Sequence, residues 1–275
     1  MSESSEGGRP LIRTVVDGRL RFDVRPVLLE ALAILSLIGL ALAAISPFLA
    51  KIAGSDWRFV ATSLAVYLAI AGTAAAGLGA HPHSRFGPAN IITSVRAALT
   101  ALVAASLIHI GHVESKGGAD LAWGLAALVA CALLLDGVDG YAARRTRLQS
   151  RFGARFDMEV DALMIFLLSL VAFASGKAGA FVLALGGMRY AYLALHALVP
   201  RLPSTLAPSL LRKVVCVIQV AALCAIVTPV VAPPLSDAIA LGALLLLSVS
   251  FARDLFAQVM MLVHGDGAER EAQSR

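Results

Sequence analysis

About eight runs of roughly 20 predominantly apolar residues follow one another along this chain, and no other feature restricts its fold as much. A helix rises ~1.5 Å per residue, so each run is about long enough to cross a hydrocarbon core of ~30 Å. In lipid every peptide group must find its partner inside the segment or in a closed barrel, and continuous runs of this length resolve that choice in favour of helices. The approximate spans are Val27 to Ala50, Phe59 to Gly79, Ile91 to Ile110, Leu121 to Tyr141, Phe156 to Ser175, Ala178 to Leu198, Val214 to Val231 and Ser236 to His264. Hydrophobic residues make up 59% of the 275 and charged residues 15%, with a mean hydropathy of +0.82, well outside the soluble range. The expectation is an all-α integral membrane protein with about eight transmembrane helices.

The ends and the loops orient it. The segment MSESSEGGRPLIRTVVDGRLRFDVR places its basic residues ahead of a full-length span rather than a short apolar core with a cleavage site, so the first helix is expected to remain in the mature protein. Arg9, Arg13, Arg19, Arg21 and Arg25 precede the first span, whereas only Lys51 and Arg58 flank the next connection, which predicts a cytoplasmic N-terminus. An even number of crossings then puts Arg85, the loop from Arg144 to Arg155, the loop from Pro200 to Lys213 and the C-terminal tail on that same side. Lys51, Lys116 and Lys177 lie opposite. The net charge of +5 suits anionic headgroups and calls for no nucleic acid. Residues 1–25 and 265–275 read as cytoplasmic tails, mobile at Met1 to Gly8 and from Gly265 onward.

Few features outside the spans carry chemistry. Cys131, Cys216 and Cys224 fall inside spans without CxxC spacing and read as small packing residues. Pro and Gly mark the joints HPHSRFGP, VPRLPSTLAP and TPVVAPP. His81 and His83 in the first of these are too few for a metal site, and His109 with His112 reads as an interfacial pair on one helix face.

The exception is DGVDGYAARRTRLQSRFGARFDMEVD, Asp136 to Asp161, between two apolar runs. Acids at a membrane edge are costly unless paired, solvated or functional. Asp136 and Asp139 are three apart and share a helical face, with the small residues Gly140 and Ala143 one and two turns beyond Asp136. Gly153, Asp157 and Asp161 recur every four residues and stack along another face, while Glu159 points elsewhere. If the two helices are antiparallel neighbours, four aspartates converge, and they cannot all stay charged without cations or protons. Hard oxygen ligands favour magnesium, manganese or calcium, and two such ions ~4 Å apart commonly handle phosphate esters.

Read with its gaps, Asp136-x2-Asp139-Gly140-x2-Ala143-Arg144-x8-Gly153-x3-Asp157-x3-Asp161 resembles the signature of the CDP-alcohol phosphotransferases, class I, at each of its eight fixed positions. A second stretch, PANIITSVRAAL, resembles the Asn-x2-Thr-x2-Arg pattern that opens the first core helix of that family, through Asn90, Thr93 and Arg96. The resemblance implies a six-helix core over residues 88–264, preceded by two additional helices within 26–80. It implies displacement on the pyrophosphate of a CDP-linked alcohol, with CMP leaving. Residue by residue, Asp136, Asp139 and Asp157 become ligands of two divalent cations, Mg2+ or Mn2+, and Asp161 the general base, itself close to the metals.

The same resemblance gives Gly140, Ala143, Arg144 and Gly153 a place against nucleotide and phosphate, and Asn90, Thr93 and Arg96 a place facing the nucleotide. Arg189, in GGMRYAYLALH, is a candidate for the acceptor. Arg201, Arg212 and Lys213 fit the positive-inside bias as well as any site. The expected partners are a CDP-linked lipid such as CDP-diacylglycerol, a small polar alcohol, membrane lipids and a second copy in a homodimer, with no nucleic acid. The expected setting is phospholipid biosynthesis at a bacterial inner membrane, with the site and both termini cytoplasmic. Two alternatives stand beside this reading: a cation or proton transporter whose aspartates line a pathway, and an inactive relative kept for binding or assembly.

Overall fold

The computed structural model describes residues 13–16, 19–22, 25–83, 85–108, 118–146, 148, 150–199 and 210–273. Eight α-helices follow in order: α1 (Arg25–Ile52), α2 (Trp57–Gly77), α3 (Pro88–Ser106), α4 (Gly118–Thr146), α5 (Arg151–Ala174), α6 (Leu183–Leu198), α7 (Leu210–Val227) and α8 (Leu235–Gln273). Six contain a stretch long and apolar enough to cross a membrane: Pro26–Ile52, Trp57–Gly77, Pro88–Ser106, Ala119–Val138, Ala180–Leu198 and Leu235–Leu262. In α7 the apolar part is shorter, Val214–Val227. Helix α5 is long enough, but Asp157, Glu159 and Asp161 interrupt its apolar run.

Two departures from the sequence expectation lie at the ends. Ahead of α1, strands β1 (Arg13–Val16) and β2 (Arg19–Phe22) pair antiparallel, Arg13 opposite Phe22 and Val16 opposite Arg19. The dipeptide Asp17-Gly18 between them is a hairpin signal that was available in the sequence. At the other end α8 continues as helix to Gln273, well past the apolar stretch that stops at Leu262. His109 and His112 lie outside the described residues.

The chain divides into two compact units, residues 1–109 with 131–161, and residues 110–130 with 162–275. In the first unit α1, α2 and α3 pack on one another. The Tyr67 hydroxyl on α2 donates to the Leu35 carbonyl on α1 at 2.7 Å, and a Cβ at Gly39 would stand 3.1 Å from the Tyr67 ring, so the glycine lets the two backbones approach. Helix α3 is the most buried of the six spans, at 72% of its apolar window against 17–28% for the others. It starts at Gly87-Pro88: the glycine takes φ +83°, open to few other residues, and proline fills the first helical position, where no hydrogen-bond donor is missed.

In the second unit α6 and α7 both pack on α8. Gly186 on α6 is the tightest contact, since a Cβ there would fall 2.5 Å from the Phe166 Cα on α5. The Lys177 ammonium, in the connection after α5, donates to the carbonyls of Thr228 and Val231 at 3.0 and 2.5 Å, and so clips that connection to the one between α7 and α8.

Candidate active site

Three of the motif aspartates meet in the first unit. Asp136, near the end of α4, and Asp157 and Asp161, one turn apart on α5, each offer a carboxylate oxygen, and the three oxygens lie within 4.8 Å of one another. The connection between the helices is short enough to fold α5 back, and the four-residue spacing keeps Asp157 and Asp161 on one face. All three are half-buried. Asp139, Ala143 and Arg144 lie on α4, but their side chains fall outside the described residues. Gly140 is half-buried on the same helix.

The centre of this group is occupied by Arg96 of α3. Its Nη1 is 3.1 Å from Asp136 Oδ1 and donates to Asp157 Oδ1 at 2.6 Å, and its Nη2 pairs with Asp161 Oδ1. The side chain is 6% exposed. Among the described side chains, one guanidinium faces three carboxylates, a formal charge of −2 that favours further cations or protons. The donor set is all carboxylate oxygen, spaced closely enough to be bridged by hard divalent cations. The residues present therefore fit such ions.

Helical spacing puts Arg96 on one face with Asn90 and Thr93 but does not name what it meets, because its partners stand 40 to 65 positions away. The neighbouring polar residues of α3 satisfy themselves locally. Thr93 Oγ1 donates to the Ala89 carbonyl at 3.1 Å, Ser94 Oγ to Asn90 at 2.7 Å and Thr100 Oγ1 to Arg96 at 2.8 Å, so that a buried, hydroxyl-bearing helix carries one guanidinium to the acids without stranding other groups.

Asn90 and Gly153, drawn from the two separate motifs, turn out to be neighbours. The Asn90 amide donates to the Phe86 carbonyl, and its Oδ1 lies 2.7 Å from where a Gly153 Cβ would be. The N-cap position of α3 is held by Gly87, and Asn90 lies within its first turn. The room that Gly153 leaves is taken by the Asn90 side chain, so the glycine sets how closely α3 and the start of α5 approach.

Ser150, just ahead of α5, accepts from the Gly153 amide through Oγ at 2.9 Å, a helix cap formed inside the motif's eight-residue gap. His81 Nδ1 lies 3.0 Å from that same Oγ. Neither Ser150 nor this role of His81 was visible from spacing, since 69 positions separate them.

In the second unit Arg189 is half-buried on α6, next to Tyr190, whose ring meets Phe166 edge-on at 5.7 Å. Arg212 Nη1 reaches Asp254 Oδ2 at 3.4 Å, and the buried Gln258 donates to the Tyr192 hydroxyl at 2.6 Å. The side chain of Lys213 and all of Arg201 lie outside the described residues.

A family model described as CDP-alcohol phosphatidyltransferase matches residues 86–262, which takes in Arg96, the whole of α4 and α5, and every residue of the aspartate motif. No curated protein and no solved structure matches. The match spans well over half of the chain, with the converging carboxylates inside it and α1 and α2 ahead of it; the chain belongs to the CDP-alcohol phosphatidyltransferase family.

Proposed function

We propose that the protein transfers a phosphatidyl-type group from a CDP-linked lipid, such as CDP-diacylglycerol, to the hydroxyl of a small polar alcohol, releasing CMP, as a step of phospholipid biosynthesis. The observation that carries this reading is the convergence of Asp136, Asp157 and Asp161 from two helices, within 4.8 Å, inside the family-matched segment.

Asp136, Asp139 and Asp157 would hold two divalent cations, Mg2+ or Mn2+, which when bound supply charge neutralisation to the diphosphate and to the departing CMP. Asp161 acts as general base: it takes the proton of the acceptor hydroxyl as that oxygen bonds to the lipid-side phosphorus and the bond from that phosphorus to CMP breaks. Gly140 and Ala143 give the nucleotide a close approach, Arg144 meets phosphate, and Asn90, Thr93, Arg96 and Gly153 shape the pocket from α3 and the start of α5. Arg189 serves the acceptor. The asymmetry of basic residues supports a cytoplasmic site with both termini on that side, at a bacterial inner membrane, and the family habit supports a homodimer.

The test is CMP release by the purified protein in nanodiscs, given CDP-diacylglycerol, Mg2+ or Mn2+ and a panel of acceptor alcohols, with the lipid product identified by mass. Asp161→Asn should lower turnover by about 100-fold or more while sparing nucleotide binding, the range expected for removing a positioned base. Full activity in that variant would remove the assignment, and no CMP with any acceptor would sink the transferase reading.

A further inference from the structure

Helices α1 and α2 and the connection up to Arg85 lie ahead of the family-matched segment, yet the end of α2 and that connection touch the helix that carries two of the three clustered aspartates. The contact is specific. His81 is 4% exposed, and its Nε2 lies 2.8 Å from the Arg85 carbonyl. A carbonyl oxygen only accepts, so Nε2 carries the hydrogen and Nδ1 the lone pair. Nδ1 in turn is 3.0 Å from Ser150 Oγ, which must then donate to it. The same Oγ accepts from the Gly153 amide at 2.9 Å. A one-directional chain of hydrogen bonds therefore runs from the first turn of α5, through Ser150, to His81 and on to Arg85.

Apolar contacts run alongside it. The Phe152 ring meets His81 edge-on with centroids 5.6 Å apart and stacks on Phe156 at 6.0 Å and 19°. Phe152 also lies against Gly77, the last residue of α2, where an added Cβ would be 3.2 Å from the ring. Helix α1 reaches the same corner, for Glu30 Oε2 accepts from the Phe86 amide at 3.4 Å at the entrance to α3. Burial lowers the His81 pKa below the usual histidine value, which favours the neutral ring that this chain of bonds requires.

We propose that the two N-terminal helices and their connection brace the carboxylate site, with His81 as a positioning residue that fixes the start of α5 by orienting the capping hydroxyl of Ser150. The proposal rests on the reading of the aspartates as a metal site. A serine cap alone can rotate its hydroxyl away from the helix amide. With Nδ1 of a buried imidazole accepting a hydrogen bond from the hydroxyl, the oxygen lone pair is held toward Gly153, and Asp157 and Asp161 follow at a fixed distance along the same helix.

Four variants of the full chain test this: His81→Ala, His81→Asn, Ser150→Ala and the double His81→Ala/Ser150→Ala. Two readouts are used, Mn2+ affinity from the free-ion EPR signal without substrate, and hydrogen exchange of the amides over 151–161. Loss of one link should weaken Mn2+ binding about three- to tenfold, the range for one net hydrogen bond, and should speed exchange at the start of α5. The double variant should be no worse than the worse single, since both break one chain. His81→Asn, whose amide oxygen can still accept from Ser150, should recover most of the loss. Unchanged exchange and unchanged Mn2+ affinity in His81→Ala, whatever its melting temperature, would overturn the proposal, as would additive losses in the double variant. A wild-type protein that binds Mn2+ but releases no CMP would sink the transferase reading and leave the brace intact. One that binds no Mn2+ would remove the metal reading, and the exchange data would then decide the brace alone.

Discussion

Arg96 is the residue on which the site's charge balance turns. It places two nitrogens among three carboxylates, and its planar fork is suited to that where a lysine ammonium is not. Its guanidinium is the cation that the described contacts place between all three acids, so removing it increases the repulsion among them. Arg96→Gln should therefore lower stability in chelator by on the order of 2 kcal/mol, less than the ~3–5 kcal/mol of a fully buried pair because the aspartates are partly exposed. Divalent cations should restore more stability to that variant than they add to the wild type, since they take over the lost role. Thermal unfolding in nanodiscs, with EDTA and with saturating Mn2+, measures both increments; equal metal increments in the two proteins would show that Arg96 does not share the acids with the cations. Arg96→Lys should fall between, keeping the charge but not the fork.

At the level of elements, close approach is bought with glycine, at Gly39 between α1 and α2 and most tightly at Gly186 between α5 and α6. A methyl group at Gly186 would meet not a movable side chain but the Phe166 backbone at 2.5 Å, with the Ser169 hydroxyl at 2.6 Å, so one of the two helices must shift. Gly186→Ala should cost about 1–3 kcal/mol, as overpacking does, whereas Gly187→Ala, which meets nothing within 4 Å, should cost nothing beyond propensity. Comparing the melting temperatures of the two variants checks this; equal values would mean that α5 and α6 do not pack this closely. The elements themselves were largely legible, because apolar length and the i, i+3 and i, i+4 spacing of acids are local properties. The spacing put Asp157 and Asp161 on one face of α5, and the structure has them there. Which helix faces which is not local. Arg96 against the aspartates, Asn90 over Gly153 and His81 on Ser150 join residues 40 to 69 positions apart, and periodicity names a face without naming its partner. The pairing of β1 with β2 is weakly legible for another reason: four-residue strands in a charged tail carry little signal beside a 28-residue apolar helix.

For the whole molecule, charge placement and helix number together make a prediction of orientation in the membrane. Five arginines precede Pro26, and from Pro26 through the far flank of α1 the basic residues are Lys51 and Arg58, so the positive-inside bias predicts a cytoplasmic N-terminus. Eight helices, if each crosses, return the chain to the side on which it started. The element that tests this is α5, whose second and third turns carry Asp157, Glu159 and Asp161 and whose uninterrupted apolar part begins only at Ala162. That part, 162–174, is about 20 Å long, short of the hydrocarbon core by ~10 Å, so α5 crosses only if its acids sit at the polar edge with their counter-charges, where Arg96 already meets them. A crossing α5 puts the C-terminal end of α8 on the same side as the N-terminus; an α5 that turns back puts them on opposite sides. Protease-cleavable tags at both ends, cut in inverted vesicles and protected in right-side-out ones, are the expected outcome. A C-terminal tag cut only from the outside would mean that one of the two helices with short apolar parts, α5 or α7, does not span.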